Sequence, residues 1–400
     1  MKLTYLANVR LPGEKAHANQ VVQMCAALAA AGAQVELIHP RRQNYPQFRS
    51  IVDIWTYYGV PRAFEHRAVG SIDLFNAFNR LGWRDRGFRL AFALQLGSYS
   101  AALAPRLLAL SGGVIYTREI TTLWLMNSLR PGLRRRAFYE AHTFPSSPAG
   151  RRLHQRVLAR AGGVVTISRG LAEEYAGLGL PAERLLVAPD AVDPARFDGC
   201  TRDEARARLG WPLDQQAVVY AGHFYAWKGV DTLIEAMRGS AAHLYLVGGT
   251  PESILEMRAR LAGMPNAHVV GWAPPTEVPL YLAAADVLAL PNSGREAISR
   301  RHTSPLKLFE YMAAARPIVA SDLPSLREVL ADGRNAVLAQ PDDPAALSQA
   351  IQRALADPVL AAGLARQARA DVAGHTWQKR AESVLAFIRA RLAADGFGPA

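Results

Sequence analysis

Cysteine is almost missing from this chain: two residues in 400, Cys25 and Cys200. Cys25 falls on the apolar face of an expected helix and Cys200 in an expected linker. Neither a disulfide framework nor a cysteine-ligated metal centre is supported, and a reducing cytoplasm suits the chain. Long apolar runs are missing too. No stretch of about 18 uncharged apolar residues occurs, which argues against a membrane-spanning helix. The softest run, residues 21–33, is interrupted by Gln23. The N-terminus runs quickly into Asn8 and Arg10 and reads as a first strand, not a signal peptide. There is no Gly-x-Gly-x-x-Gly fingerprint, so a dinucleotide site is not supported. No cluster of His, Asp or Cys has metal-ligand spacing, so no bound catalytic metal is expected. Short-period repeats and low-complexity tracts are absent. Acidic residues are scarce in one half only. Residues 1–195 hold 24 Lys and Arg against 13 Asp and Glu, whereas residues 196–400 hold 22 against 21. A basic half can meet an anionic substrate, an anionic membrane or nucleic acid, or can reflect an arginine-rich composition without any partner. No nucleic-acid-binding motif accompanies it.

What is present is a strand–turn–helix alternation. Residues 2–8 read as a strand, 14–31 as a helix ended by Gly32, and 34–39 as a second strand. This βαβ start implies a parallel sheet with helices on its faces. Residues 41–110 are rich in Arg, Phe, Trp and Tyr and show no clean period. Strands resume at 113–117, 137–140, 163–167 and 184–188. The turn-rich Pro189-Asp190-Ala191-Val192-Asp193-Pro194 then suits a domain boundary. Beyond it the alternation restarts, with strands at 217–221, 244–247, 268–271, 286–290, 317–320 and 336–338. Helical stretches at about 344–356, 358–373 and 375–393 close the chain. The fold class expected is α/β, with two doubly wound Rossmann-like domains facing across a cleft. Ligands of such sheets bind at the carboxyl ends of the strands, so the cleft is the expected active site.

Four segments carry chemistry. In His302-Thr303-Ser304-Pro305-Leu306-Lys307-Leu308-Phe309-Glu310, a capping residue and a proline stand where a helix begins. The N–H groups and dipole of such an end favour a phosphate. Glu310, within two turns, can accept hydrogen bonds from the vicinal hydroxyls of a ribose. The alternative is a capped amphipathic helix with Glu310 merely solvated. In Gly222-His223-Phe224-Tyr225-Ala226-Trp227-Lys228, a glycine ends a strand and a lysine opens a helix, where the dipole slightly disfavours it. A phosphate would explain that placement; an exposed lysine is the alternative. Residues 8–17 join the first strand to the first helix, and Gly13 permits close backbone approach by a ligand. An ordinary turn would look the same. Glu140-Ala141-His142 follows a strand, and residues two apart share a face. Tyr116-Thr117-Arg118-Glu119 ends another strand and offers a cation.

The stretch Ser304 to Ala313 resembles the signature of GT4-type retaining glycosyltransferases of GT-B fold. The resemblance covers residues 1–40 loosely and 113–390 well. It implies that Glu310 binds the donor ribose and that backbone amides around Ser304, Leu306 and Lys307 meet sugar and phosphate. Pro305 has no N–H to give. It implies that Lys228 meets the diphosphate and that His142, in a Glu-x-His segment, lies beside the donor sugar. Trp272, after Gly271, resembles the loop beside the nucleotide base, and the Gly13 loop resembles one that meets donor phosphate and acceptor. Val192-Asp193 with Phe197 is similar to the family's linker. Residues 285–291 resemble the strand before the signature. His375-Thr376-Trp377 resembles the crossover to the N-terminal domain. Two positions depart from the pattern: His302 stands where a glutamate contacts the donor sugar, and His223 where an arginine contacts the diphosphate.

The resemblance implies residues 1–193 as an acceptor-binding domain, 194–374 as a nucleotide-sugar-binding domain, and 375–400 as a helix returning to the first. It implies a metal-independent hexosyl transfer with retention from a nucleotide-diphosphate sugar to a hydroxyl acceptor, with no other cofactor. Catalytic roles fall on His142, Lys228 and Glu310. The alternatives are an inactive protein of the same fold that binds a nucleotide sugar or a partner, and a sugar-nucleotide epimerase. Trp55, Tyr57, Tyr58, Phe64, Trp83, Phe88 and Phe92 mix with Arg84, Arg86, Arg89 and Arg134-Arg135-Arg136. That mixture suits peripheral contact with an anionic membrane at its inner face, and a lipid-linked or envelope glycan as acceptor. An acceptor pocket or core aromatics are the alternative. No nucleic acid is expected.

Overall fold

A computed structural model describes residues 1–13, 15–44, 46–75, 77 and 85–397, with the backbone alone at 85 and 86. Glu14, Trp83, Arg84 and the side chain of Arg86 lie outside the described residues. The chain forms two compact units. One comprises Met1–Ile167, Leu171–Ala188 and Ala381–Ala400, and the other Ser168–Gly170 and Pro189–Arg380.

The first unit is built on seven parallel strands: β1 (Lys2–Leu6), β2 (Gln34–Pro40), β3 (Glu65–Val69), β4 (Val114–Thr117), β5 (Ala137–Ala141), β6 (Gly163–Thr166) and β7 (Leu185–Val187). Their order is β3-β2-β1-β4-β5-β6-β7. Central strands are covered on both faces and therefore read as apolar runs. β4, Val-Ile-Tyr-Thr, and β5, Ala-Phe-Tyr-Glu-Ala, are buried at every position. β3 is an edge strand with the sequence Glu-His-Arg-Ala-Val, too polar to be noticed beforehand. A helix over Asp85–Ala109 also falls in the stretch without a clean period. It buries Gly87, Ala91, Gln95, Tyr99, Leu103 and Leu107, a single stripe at every fourth position. Phe88, Leu90, Phe92 and Leu94 are left exposed. An apolar surplus off the buried stripe blurs the amphipathic period on which sequence reading depends.

The second unit has six parallel strands: β8 (Ala217–Ala221), β9 (His243–Val247), β10 (Ala267–Gly271), β11 (Val287–Leu290), β12 (Ile318–Ser321) and β13 (Val337–Ala339). They run in the order β10-β9-β8-β11-β12-β13. The two faces of β8 serve two cores. Ala217, Val219 and Ala221 pack on one side and Val218 and Tyr220 on the other, as a period of two requires. Arg206, fully buried, ties the helix Arg202–Leu209 to the foot of β11. Its Nη2 lies 2.6 Å from Asp286 Oδ2, its Nε donates to the Ala284 carbonyl, and its Nη1 to those of Pro212, Leu213 and Gln215. In each sheet the strand order reverses beside the first strand, between β1 and β4 and between β8 and β11. Such reversals open a crevice at the carboxyl ends where ligands bind. The final helix, Trp377–Ala394, leaves the second unit at Arg380 and packs in the first, where Phe387 meets Phe138 edge-on at 6.0 Å. Among the described residues no helix is long and apolar enough to cross a membrane.

Candidate active site

In the second unit, the candidate residues gather where β8 and β11 part. β8 ends at Ala221, and Gly222 turns the chain with φ 143°. Tyr220 Oη donates to the His223 carbonyl at 2.7 Å, and the His223 ring stacks on Tyr225. One 3₁₀ turn, Ala226–Lys228, brings Lys228 Nζ to 3.9 Å from the Trp227 ring centroid. Gly229 follows with φ 70°, and a Cβ there would lie 1.8 Å from the Pro291 carbonyl oxygen. Only glycine therefore lets the loop after β8 close on the loop after β11. Ser293 N–H then donates to the Trp227 carbonyl at 3.0 Å. Beside this contact the Asn292 amide is fully buried, and neither its nitrogen nor its oxygen has a hydrogen-bond partner among the described residues.

The helix Leu306–Ala313 enters the same place. Tyr311 Oη accepts from the Ala221 N–H at 2.7 Å and so pins the helix against the end of β8. The expected side-chain cap is not made. Pro305 occupies the cap position, and Ser304 Oγ instead accepts from the Asp190 N–H at 2.9 Å. Ser304 thus fixes the segment before the helix, and among the described residues no side-chain hydrogen bond caps the helix's first turn, where Leu306 and Lys307 lie. Thr303 and His302 are buried on the way in. Lys307 and Glu310 are three apart and share a face. Trp272 directly follows β10, two strands away from β8.

Desolvation dominates the charges here. It pushes Lys228 down to about 8. It holds Lys307 well below the ordinary lysine range, assisted by the positive charge of Lys228 and opposed by Glu310. Burial raises the Glu310 carboxyl against the pull of Arg196 and Lys307. Arg196 had not been singled out from sequence, and neither had Asn292. Arg196 sits in the stretch 192–197 that resembles a linker, and that resemblance could have pointed to it. Its Nη2 donates to the Pro275 carbonyl at 2.8 Å.

In the first unit the centre is Glu140, fully buried on β5. Its carboxylate accepts from Gln20 Nε2 at 2.7 Å and Tyr116 Oη at 2.5 Å, and His142 Nε2 lies 2.6 Å away. Arg118 donates in turn to Gln20 Oε1. Glu140 and His142 share a side of the chain, and Arg118 joins them through Gln20. Desolvation first, and then the charge of Arg118, pushes His17 well below the usual histidine range. Gly13 departs from expectation. Its N–H donates to Tyr58 Oη at 3.0 Å, and a Cβ would stand 2.8 Å from the Arg10 carbonyl oxygen. The glycine serves the loop's own turn, and its amide is already used. The three consecutive arginines also turn inward. Arg134 and Arg135 donate to the carbonyls of Asn127 and Ala161, and Arg136 lies over Phe397. Trp55 lies under Arg62, Phe64 is buried, and Tyr57 meets Phe48 edge-on.

Comparison with known proteins agrees with this architecture. Residues 16–191 match the model of the glycosyl transferase 4-like domain, and residues 215–357 that of glycosyl transferases group 1. The D-inositol 3-phosphate glycosyltransferase of Xylanimonas cellulosilytica is 31% identical over 256 residues, covering 60% of this chain and 59% of that protein. The chain thus spans less than two thirds of that relative. Sucrose-phosphate synthase from Thermosynechococcus elongatus superimposes with a TM-score of 0.77 at 21% identity, over 98% of this chain and 100% of that one. Anabaena HepE in complex with UDP gives 0.71 at 18% identity, over 96% and 98%. Two doubly wound parallel units with these neighbours define the GT-B fold. The chain belongs to the group 1, or GT4, glycosyltransferase family.

Proposed function

We propose that the chain transfers a hexosyl-type sugar from a nucleotide-diphosphate donor to a hydroxyl acceptor, keeping the anomeric configuration. The observation that carries this is the gathering of Lys228, Lys307 and Glu310 around an uncapped helix start at the strand-order reversal of the second unit. Glu310 takes the ribose hydroxyls, and the N–H groups of Leu306 and Lys307 meet phosphate and sugar. Lys228 offsets the charge that grows on the departing diphosphate. Trp272 flanks the base, His302 and His223 face the sugar and phosphate, and His142 lies beside the donor sugar. Residues 194–374 hold the donor, residues 1–193 the acceptor, and residues 375–400 return to the first domain.

The reaction is a displacement on one face of the sugar. The bond from the anomeric carbon to the phosphate oxygen breaks, the acceptor oxygen bonds on the same side, and the leaving diphosphate takes the acceptor's proton. The protein positions both substrates and stabilises phosphate charge. The acceptor is an anionic envelope glycan or lipid-linked molecule. The basic balance of residues 1–195 supports this, as does the exposed set Phe88, Leu90, Phe92 and Leu94 beside the exposed Arg89, which fits peripheral contact with anionic lipid from the cytoplasmic side.

The test is a screen of UDP-, GDP- and ADP-sugars with the purified chain, read by mass spectrometry and by NMR of the anomeric proton. Transfer with retention is expected, and epimerisation or binding alone would overturn it. Two charged hydrogen bonds to a ribose are worth about 3–6 kcal/mol. Glu310→Ala should therefore lower kcat/KM by about 10²- to 10⁴-fold. Unchanged turnover in that variant would sink the reading.

A further inference from the structure

Lys307 buries its ammonium without a hydrogen-bonded anion among the described residues. The residue is 7% exposed, and its Nζ has no hydrogen-bond partner among the described residues. It sits 3.8 Å from the centroid of the Tyr220 ring. That ring is held by the bond from its hydroxyl to the His223 carbonyl. A cation over an aromatic face recovers only part of what the ammonium loses on leaving water. The same Nζ is 3.6 Å from where a Cβ would stand on Gly222. It therefore borders the first residue of the loop that carries Lys228. The two lysines are close enough for one charge to disfavour the other. Two desolvated like charges have been brought together at a helix start, with no anion of the protein bonded to the second. Folding tolerates such a set where a ligand supplies the missing charge.

We infer that the Lys307 ammonium is a second phosphate-binding cation, so that two lysines from different elements, Lys228 after β8 and Lys307 on the helix, grip the two phosphoryl groups of a nucleoside diphosphate. This rests on the donor-binding reading above but assigns a new part: there Lys307 contributed its backbone N–H, whereas here its side chain carries the recognition. His223, on the same loop, has its ring stacked on Tyr225. The loop therefore brings one lysine, and the helix brings the other. A diphosphate is favoured over a monophosphate because the cations come from separate elements and are best answered by two linked anions.

The experiment is calorimetric titration of the full chain and of Lys307→Met and Lys307→Gln with UDP, GDP and ADP, and with UMP, GMP and AMP. Thermal unfolding without nucleotide is followed in parallel. For the nucleotide bound most tightly, both variants should lose about 10- to 100-fold in diphosphate affinity. Monophosphate affinity should stay within about two- to threefold, and the ligand-free variants should melt no lower than the unaltered protein, because a lone buried charge has been removed. Equal losses for diphosphate and monophosphate, or no loss for either, would overturn the assignment. Lower melting with unchanged diphosphate preference would mark Lys307 as structural and overturn it too. If the unaltered protein binds none of the six, the donor-binding reading falls, and this inference with it.

Discussion

The two units share an architecture, and the candidate residues of each treat buried charge in opposite ways. In the first, Glu140 is fully enclosed and meets donors from Gln20, Tyr116 and His142, which come from three different segments. In the second, Lys307 is nearly as enclosed and has no hydrogen-bonding partner among the described residues. A satisfied network fixes positions, because any departure strands a donor or acceptor. An unsatisfied cation has its lowest free energy only with an anion present. The contrast separates the residues that hold a site's shape from those that wait for its ligand.

The second unit also contains a buried charge of the satisfied kind, and it sets the largest expected effect on stability. Arg206 meets Asp286 and four backbone carbonyls. Arg206→Met leaves those carbonyls and Asp286 short of a donor. Removing one partner of a buried ion pair costs about 3–5 kcal/mol. Asp286 retains Arg202 and the Ala217 N–H, so about 3 kcal/mol is expected, measured as a shift of the urea midpoint at constant m. Set beside the unchanged or raised stability expected of Lys307→Met, this pair of variants tests the contrast directly. Equal destabilisation in both would erase it.

Much of the second unit was legible in the sequence, for a physical reason. β8, β11 and β12 are buried at every position and read as apolar runs, and several of its helices open at a proline. The helices at Pro344–Ala356 and Pro358–Asp371 start where an aspartate followed by proline announces them, with Asp343 and Asp357 as caps. The first unit was legible only in part. β3 is polar because it lies at an edge, and the helix Asp85–Ala109 hides its period by carrying apolar residues off its buried stripe. At the site, residue types showed which side chains were chemically suited, but not which were already engaged. Ser304 reads as a cap and is bonded to Asp190. Gly13 reads as a phosphate loop and is bonded to Tyr58. Lys307 reads as a donor of its backbone amide, and its side chain is buried as well. Partner choice is set by tertiary contacts, which spacing does not record.

A smaller effect follows from the protonation of the second unit's lysines. Desolvation pushes Lys228 down to about 8, from 10.5 for an ordinary lysine. Between those values the unfolded chain binds more protons than the ligand-free folded one, so ligand-free stability gains from Lys228 as pH rises through this window. Nucleotide binding has the reverse sign. A bound diphosphate favours the charged ammonium, so binding takes up a proton above about pH 8, and affinity falls as pH rises. Lys307 shifts in the same direction; Glu310 and Arg196 act on the same group of charges. Titrations in buffers of different ionisation enthalpy should show net proton uptake at pH 9, with affinity falling up to about tenfold per pH unit for a single coupled proton. Proton release, or a flat profile, would mean that these lysines do not meet the ligand.

The smallest change in stability belongs to the first unit's exposed helix, and there function and folding should separate cleanly. Phe88 is 60% exposed and Phe92 44%, one turn apart on Asp85–Ala109. The buried stripe of that helix runs through Ala91, Gln95 and Tyr99, so neither phenylalanine lies on it. Replacing both by serine removes little buried area, and stability should stay within about 0.5 kcal/mol. Solubility gives no reason to keep two phenylalanines in water, whereas an anionic bilayer would bury both while the exposed Arg89 approaches the headgroups. Flotation with vesicles containing phosphatidylserine or phosphatidylglycerol should therefore show the unaltered chain bound, and the Phe88→Ser/Phe92→Ser variant several-fold less so. Vesicles of neutral lipid should retain little of either. Equal flotation of the two proteins, or no preference for anionic vesicles, would leave the aromatic surface to a soluble acceptor.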